Sequence, residues 1–141
     1  MAEQLASKPI LTLSVAKKIA AAAESEAKAN GWDVVISIVD DSGNLFYLQR
    51  MDTTQIASIE IAVAKAVSAV RFKRPTKTFE DALIGGRQAI LKLPDVMPIN
   101  GGVPITFNEE ILGAIGVSGV QPDQDGRIAQ AGVDALLQII N

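Results

Sequence analysis

The chain contains neither cysteine nor histidine, and aromatic residues fill only 4% of its 141 positions. Each absence removes a class of chemistry. Without histidine there is no Ser-His-Asp relay and no imidazole acid or base working near neutral pH. Without cysteine there is no thiolate nucleophile. The lack of both removes a catalytic zinc site held by protein nitrogen or sulfur, so no metal site is expected. The missing cysteine fits a reducing compartment, and a cytoplasmic location is the expectation. Met1–Pro9 has no apolar signal core, and no run of about 18 uninterrupted apolar residues occurs, so neither a leader nor a membrane span is expected. Basic runs are absent too. The densest positive stretch is Arg71, Lys73, Arg74 and Lys77, at the end of a helical pattern where positive charge is favourable for local reasons. With a net charge of −3, the chain is not expected to bind nucleic acid.

Carboxylate, lysine, arginine, tyrosine and hydroxyl chemistry remain. At 48% apolar residues, the chain can build one core, from Ala, Val, Ile and Leu rather than from rings. We expect one domain over residues 1–141, with 1–10 as a flexible or partner-contacting arm.

Thr12 is placed to cap a helix from Leu13 to about Ala29, with Ala16, Ile19, Ala20, Ala23 and Ala27 at helical spacing and Asn30-Gly31 as its stop. Trp32–Asp40 and Leu45–Arg50 read as two strands joined by the turn Asp41-Ser42-Gly43-Asn44. From Gln55 to Lys73 apolar residues cover nearly the whole helical circumference. That pattern predicts burial on both faces, one against the sheet and one against another subunit. Thr78 is expected to cap a helix from Phe79 to about Leu93, with Gly85-Gly86 inside it where another backbone approaches. Val96–Ile99, Val103–Phe107 and Ile111–Gly119 read as strands, and Asp123–Ile140 as a closing helix. Hairpins rather than crossovers imply an antiparallel sheet, so the fold class is α+β.

Lys65 stands out because an ammonium in the middle of an apolar helix needs a partner or a ligand. Asp52 and Glu60 are its candidate ion-pair partners, and a carboxylate or propionate is the alternative. Arg50 and Asp52 follow the second strand, either as a local salt bridge or as a binding rim. Gly101 and Gly102 form a tight turn or offer bare N–H groups to an anion. Gly113, Gly116 and Gly119 are spaced G-x-x-G-x-x-G. That spacing differs from a dinucleotide fingerprint and points to close packing in the sheet. Ser118 has no general base near it in sequence. Asp40 and Asp41 suit a turn. Asp123 and Asp125 suit a helix N-terminus better than a calcium loop, whose later ligands are missing.

Several short signatures occur together and in order. They are Val39-Asp40-Asp41-Ser42-Gly43 with Arg50-Met51-Asp52, Ala64-Lys65-Ala66 with Arg74-Pro75-Thr76, Gly101-Gly102-Val103-Pro104-Ile105, Gly113-Ala114-Ile115-Gly116-Val117-Ser118-Gly119, and Asp125 with Ile128-Ala129. In this arrangement the chain, from about Leu11 to Leu137, resembles the GlcG/HbpS family. This is also called the haem-degrading domain family, to which the C-terminal domain of PduO-type corrinoid adenosyltransferases is related. The resemblance implies a profilin-like fold: a five-stranded antiparallel sheet flanked by helices in the order α-β-β-α-α-β-β-β-α. It implies a homo-oligomer, often described as octameric, and haem as a candidate cofactor. It also implies an accessory role in glycolate-, diol- or glycerol-type catabolism.

This chain departs from His-bearing relatives in having no histidine for an axial ligand, which leaves Met51, Met97, Tyr47 and Lys65 as side chains able to reach iron. The candidate ligand-binding residues are Arg50, Met51, Asp52, Lys65, Thr76, Gly101 and Gly102, and the expected ligand is haem or a small organic anion in a cleft between the sheet, the Gln55–Lys73 helix and the Gly101–Gly102 loop. Two other readings stay open. One is an enzyme that uses Lys65 on a small organic acid or aldehyde. The other is a structural or regulatory subunit without a ligand.

Overall fold

A computed structural model describes residues 1–140. Helix α1 (Leu13–Ala29) starts where Thr12 Oγ1 accepts the Val15 N–H at 3.2 Å. It stops at Asn30 and Gly31, the latter at φ +72°. Strands β1 (Val35–Asp40) and β2 (Leu45–Arg50) form the predicted hairpin. Helix α2 (Ser58–Phe72) and the short α3 (Thr76–Ile84) follow, then a 3-10 turn over Gln88–Lys92. Strands β3 (Gly102–Phe107) and β4 (Glu110–Ser118) make a second hairpin. Helices α4 (Pro122–Asp134) and α5 (Leu136–Ile140) close the chain.

The α+β class holds, with a correction to the sheet. Among the described residues it has four strands, all antiparallel, in the order β2-β1-β4-β3. The expected fifth strand, Val96–Ile99, is a loop. Pro94 precedes it and Pro98 lies within it, and neither has an N–H for a ladder. Asp95 sits at φ +66°, and the Met97 N–H donates at 3.1 Å to Ser68 Oγ on α2 rather than to a strand. Two helices also end earlier than their patterns suggest. The one expected over Phe79–Leu93 stops at Gly85, because Gly86 takes φ +100°. No backbone approaches within 4 Å of the β-carbon Gly86 lacks, so turn geometry rather than packing explains this glycine. The last helix breaks at Ala135 into α4 and α5.

Helix α1 packs with α4 over one side of the sheet, and α2 lies along β4 on the other. The glycine-rich strand is what lets α2 come so close. A β-carbon on Gly116 would stand 2.0 Å from the Ala62 carbonyl oxygen and 2.6 Å from the Ala66 nitrogen. Only a residue without one fits there. The main core joins Ile19, Val34, Ile36, Ile38, Ile105, Ile115, Val117 and Ile128. At the other end of the chain, residues 1–10 form neither helix nor strand and lie exposed, with Lys8 paired to Asp41. Among the described residues, no helix is long and apolar enough to cross a membrane.

Candidate functional site

The sequence candidates and the apolar face of α2 fall in three places. The first lies in the interior. Lys65 projects from the inner side of α2 and is 1% exposed. Its Nζ donates to the Val117 carbonyl and to Asp125 Oδ2, both at 3.0 Å. The partner is therefore neither Asp52 nor Glu60 but a residue sixty positions on. Asp125 sits in the first turn of α4, where a carboxylate also meets the helix dipole. Its other oxygen accepts the Val120 N–H at 3.1 Å. Burial pulls the Lys65 pKa down and pushes that of Asp125 up, each opposed by the charge of the other.

Thr76, Gly101 and Gly102 close around this pair. The Gly102 N–H donates to Thr76 Oγ1 at 2.9 Å, so it is not free for an anion. β-carbons on Gly101 and Gly102 would fall 2.8 Å from Lys65 Nζ and 2.3 Å from the Lys65 carbonyl oxygen. The space where a cleft was expected, between sheet, helix and glycine loop, is filled by the lysine itself. Beside it, Ser118 Oγ meets Ser58 Oγ at 3.2 Å, so this serine too is enclosed in a structural contact.

The second place is an open apolar groove of about 460 Å³ on the outer side of α2. Ile59, Val63, Ala64 and Val67 of α2 form one wall, with Leu45 and Leu48 of β2, and Val96 and Met97 of the loop, around them. The loop is held to α2 by the Arg71–Asp95 ion pair and by the Met97 N–H bond to Ser68. The volume falls inside the roughly 300–1,000 Å³ typical of small-molecule sites. The face of α2 expected to lie against another subunit is half-buried by the chain's own residues and forms this wall of the groove.

The third place is a polar cleft of about 350 Å³, lined by Glu24, Lys28, Asp33, Gln49, Arg50, Met51 and Asp52. The structure therefore separates the sequence candidates. Lys65, Thr76, Gly101 and Gly102 come together in the interior, while Arg50, Met51 and Asp52 share a surface cleft. Asp125 was visible in the sequence as a helix-start carboxylate and as part of the family signature with Ile128-Ala129, but not as the partner of Lys65. The α2 groove was foreshadowed by helix apolarity, but most of its residues are aliphatic, and Glu60 and Asp95 in its lining belong to no recognisable chemical motif.

Comparison with known proteins fits this architecture. The family model described as "Haem degrading protein HbpS-like" matches residues 11–134. The chain belongs to the HbpS-like family. It is 39% identical over 111 residues to protein GlcG of Escherichia coli, covering 79% of this chain and 83% of that one. The solved structure of Klebsiella pneumoniae protein ORFY superposes with a TM-score of 0.87 at 32% identity, over 97% of this chain and 98% of the other. A structure described as a PduOC:heme complex superposes with a TM-score of 0.80 at 30% identity, over 90% of this chain and 95% of the other.

Proposed function

We propose that this HbpS-like chain is a homo-oligomeric small-ligand-binding protein, that it holds haem in the groove between α2 and β2, and that it is accessory to small-molecule catabolism. The observation that carries the reading is the groove itself: a mainly aliphatic slot, with Glu60 and Asp95 also in its lining, and a single soft ligand, the Met97 thioether, anchored to α2 through its own N–H. A flat macrocycle needs apolar walls for its ring and one or two donors for its iron. In a chain without histidine, a methionine beside an apolar slot meets both needs. The haem complex of the PduOC relative supports the same ligand class. Bound haem would supply redox and Lewis-acid chemistry at its iron. The chain supplies the walls, the exclusion of water and a neutral sulfur.

In this reading Lys65, Thr76, Gly101 and Gly102 act from beneath. They fix α2 against β3, β4 and α4, and so set the α2 wall of the groove. Self-association is supported by aliphatic side chains left in solvent on the chain segment that leads into the groove's loop. Ile84 is 79% exposed and Leu91 61%, and exposed apolar side chains are what an interaction surface is built from.

The test is a haem titration of the purified protein followed by absorbance, beside a native mass measurement. A saturable, stoichiometric Soret shift is expected, weakened about tenfold or more by Met97→Ala and unchanged by Met51→Ala. Loss with Met51→Ala instead would move the iron to the Arg50 cleft. Absence of a saturable shift would overturn the haem reading, and a native mass of one subunit would overturn the oligomer.

A further inference from the structure

The polar cleft is independent of the groove and differs from it in kind. Glu24 and Lys28 reach it from α1, Asp33 from the segment before β1, and Gln49, Arg50, Met51 and Asp52 from the end of β2 and the turn after it. Some of these groups are already matched. Lys28 pairs with Glu24 Oε2 at 3.3 Å, and Gln49 donates to Glu24 Oε1 at 2.8 Å. The Thr53 N–H and hydroxyl both go to Asp33 Oδ2, at 3.0 and 2.6 Å, which leaves Oδ1 open.

Arg50 and Asp52 are different. Both line the cleft, yet among the described residues neither closes an ion pair, with each other or with anything else. The turn that carries them holds a second unmatched group. It is closed by the Thr54 N–H on the Met51 carbonyl at 3.1 Å. The hydroxyl of that same Thr54, in a residue 8% exposed, is buried without a hydrogen-bond partner. Thr54 does not itself line the cleft, so this orphan belongs to the turn and not to the binding surface.

Charge decides what the cleft would accept. Two cations face three carboxylates, so a simple anion attracted to Arg50 meets Asp33 and Asp52 as well. A simple cation satisfies the carboxylates and leaves the guanidinium unmatched. A molecule carrying both charges satisfies both sides. Its carboxylate takes the planar fork of Arg50, which suits two-pronged binding, and its ammonium lies between Asp52 and the open oxygen of Asp33. We propose that this cleft binds a small zwitterion, with carboxylate and ammonium a few bonds apart as in α- and β-amino acids, and with the Met51 side chain against its carbon stem.

The experiment is an NMR titration of the intact protein with glycine, β-alanine, acetate and methylammonium, reading the amides of Asp33 and Arg50–Thr54. The expected result is saturable shifts with one or both zwitterions, and binding of acetate and methylammonium about tenfold or more weaker. Arg50→Gln and Asp52→Asn should each weaken zwitterion binding by a similar factor. Both residues are exposed, so an unchanged amide spectrum elsewhere will show that these variants fold. Acetate binding as well as glycine would make the cleft a plain anion site and overturn the proposal. So would the absence of saturable shifts with either zwitterion, or full binding by Arg50→Gln. None of these outcomes bears on haem in the α2 groove, so the two readings fail separately.

Discussion

The two sides of α2 reverse the usual order of a surface helix. Its inner side, against the sheet, carries a lysine, two serines and a carboxylate partner from α4, all enclosed. Its outer side, toward solvent, is aliphatic and half open. A helix normally hides its apolar stripe and wets its polar one. Here the polar inner side is complete: the Lys65 ammonium and the Asp125 carboxylate find partners within the chain. The apolar outer side is left half-buried by the chain's own residues. The polar residue that looks most functional in the sequence is enclosed by contacts within the chain, and under the proposed function the mainly aliphatic face is the one that receives a ligand.

The largest effect expected from breaking that contrast is on the inner side. Asp125→Ala leaves the Lys65 ammonium buried and unpaired, and losing one partner of such a pair typically lowers stability by about 3–5 kcal/mol. Removing both charges in a Lys65→Met/Asp125→Leu double variant should recover most of that loss, as well-packed apolar replacements often do. Urea unfolding of the three proteins measures it. A double variant no more stable than Asp125→Ala would mean that the pair is not what holds α2, α4 and the end of β4 together. Gly116→Ala comes next. Its β-carbon would collide with the α2 backbone at Ala62 and Ala66, and overpacking of this kind costs about 1–3 kcal/mol or more. Because the helix itself must shift, the groove on its far side should distort too. Unlike the loop variant Met97→Ala, Gly116→Ala should lose stability and haem binding together.

Much of this frame was legible in the sequence because its signals are local. Thr12 caps α1, Asn30-Gly31 stops it, and the turn Asp41–Asn44 sets the first hairpin. Each of these depends on residues within a few positions. The glycines of β4 announced close packing: Gly116 admits α2, while Gly113 lies against the Val39 carbonyl of β1. The parts that were not legible depend on distance along the chain. Sequence proximity suggested Asp52 or Glu60 for Lys65, while the fold delivers Asp125. Val96–Ile99 has the composition of a strand but reaches no ladder, since the Met97 N–H is taken by Ser68. Arg50 and Lys65 are both conspicuous cations, yet one lines a surface cleft and the other lies inside.

On the outer side the expected effect on folding is small and that on binding large. Val63→Asp places a charge in the wall of the groove at a half-buried position outside both core clusters. Surface substitutions of this kind usually change stability by about 0.5 kcal/mol or less. Haem affinity should nevertheless fall about tenfold or more, since a carboxylate in an apolar slot must be desolvated by the ligand. Melting and haem titration of the same preparation separate the two. A large drop in melting temperature would show that the outer face belongs to the core, and that α2 is not divided between a structural side and a receiving side.

The smallest effect sharpens the view of the polar cleft. The hydroxyl and then the N–H of Thr53 hold the Asp33 carboxyl below its ordinary value of 3.8. In the folded protein Asp33 therefore gives up its proton more readily than in the unfolded chain. Between the folded value and 3.8 the unfolded state binds more protons, so stability rises with pH across that window. The contribution is fully present above 3.8 and is lost as pH falls through the folded value. Thr53→Ala removes the hydroxyl bond and leaves the N–H, so the folded value moves back toward the ordinary one and the acid limb of the stability curve flattens. Urea midpoints of the parent and Thr53→Ala, taken over roughly pH 2 to 5, should converge at the acid end and separate above it. Curves that stay parallel throughout would mean that Thr53 does not set the Asp33 charge.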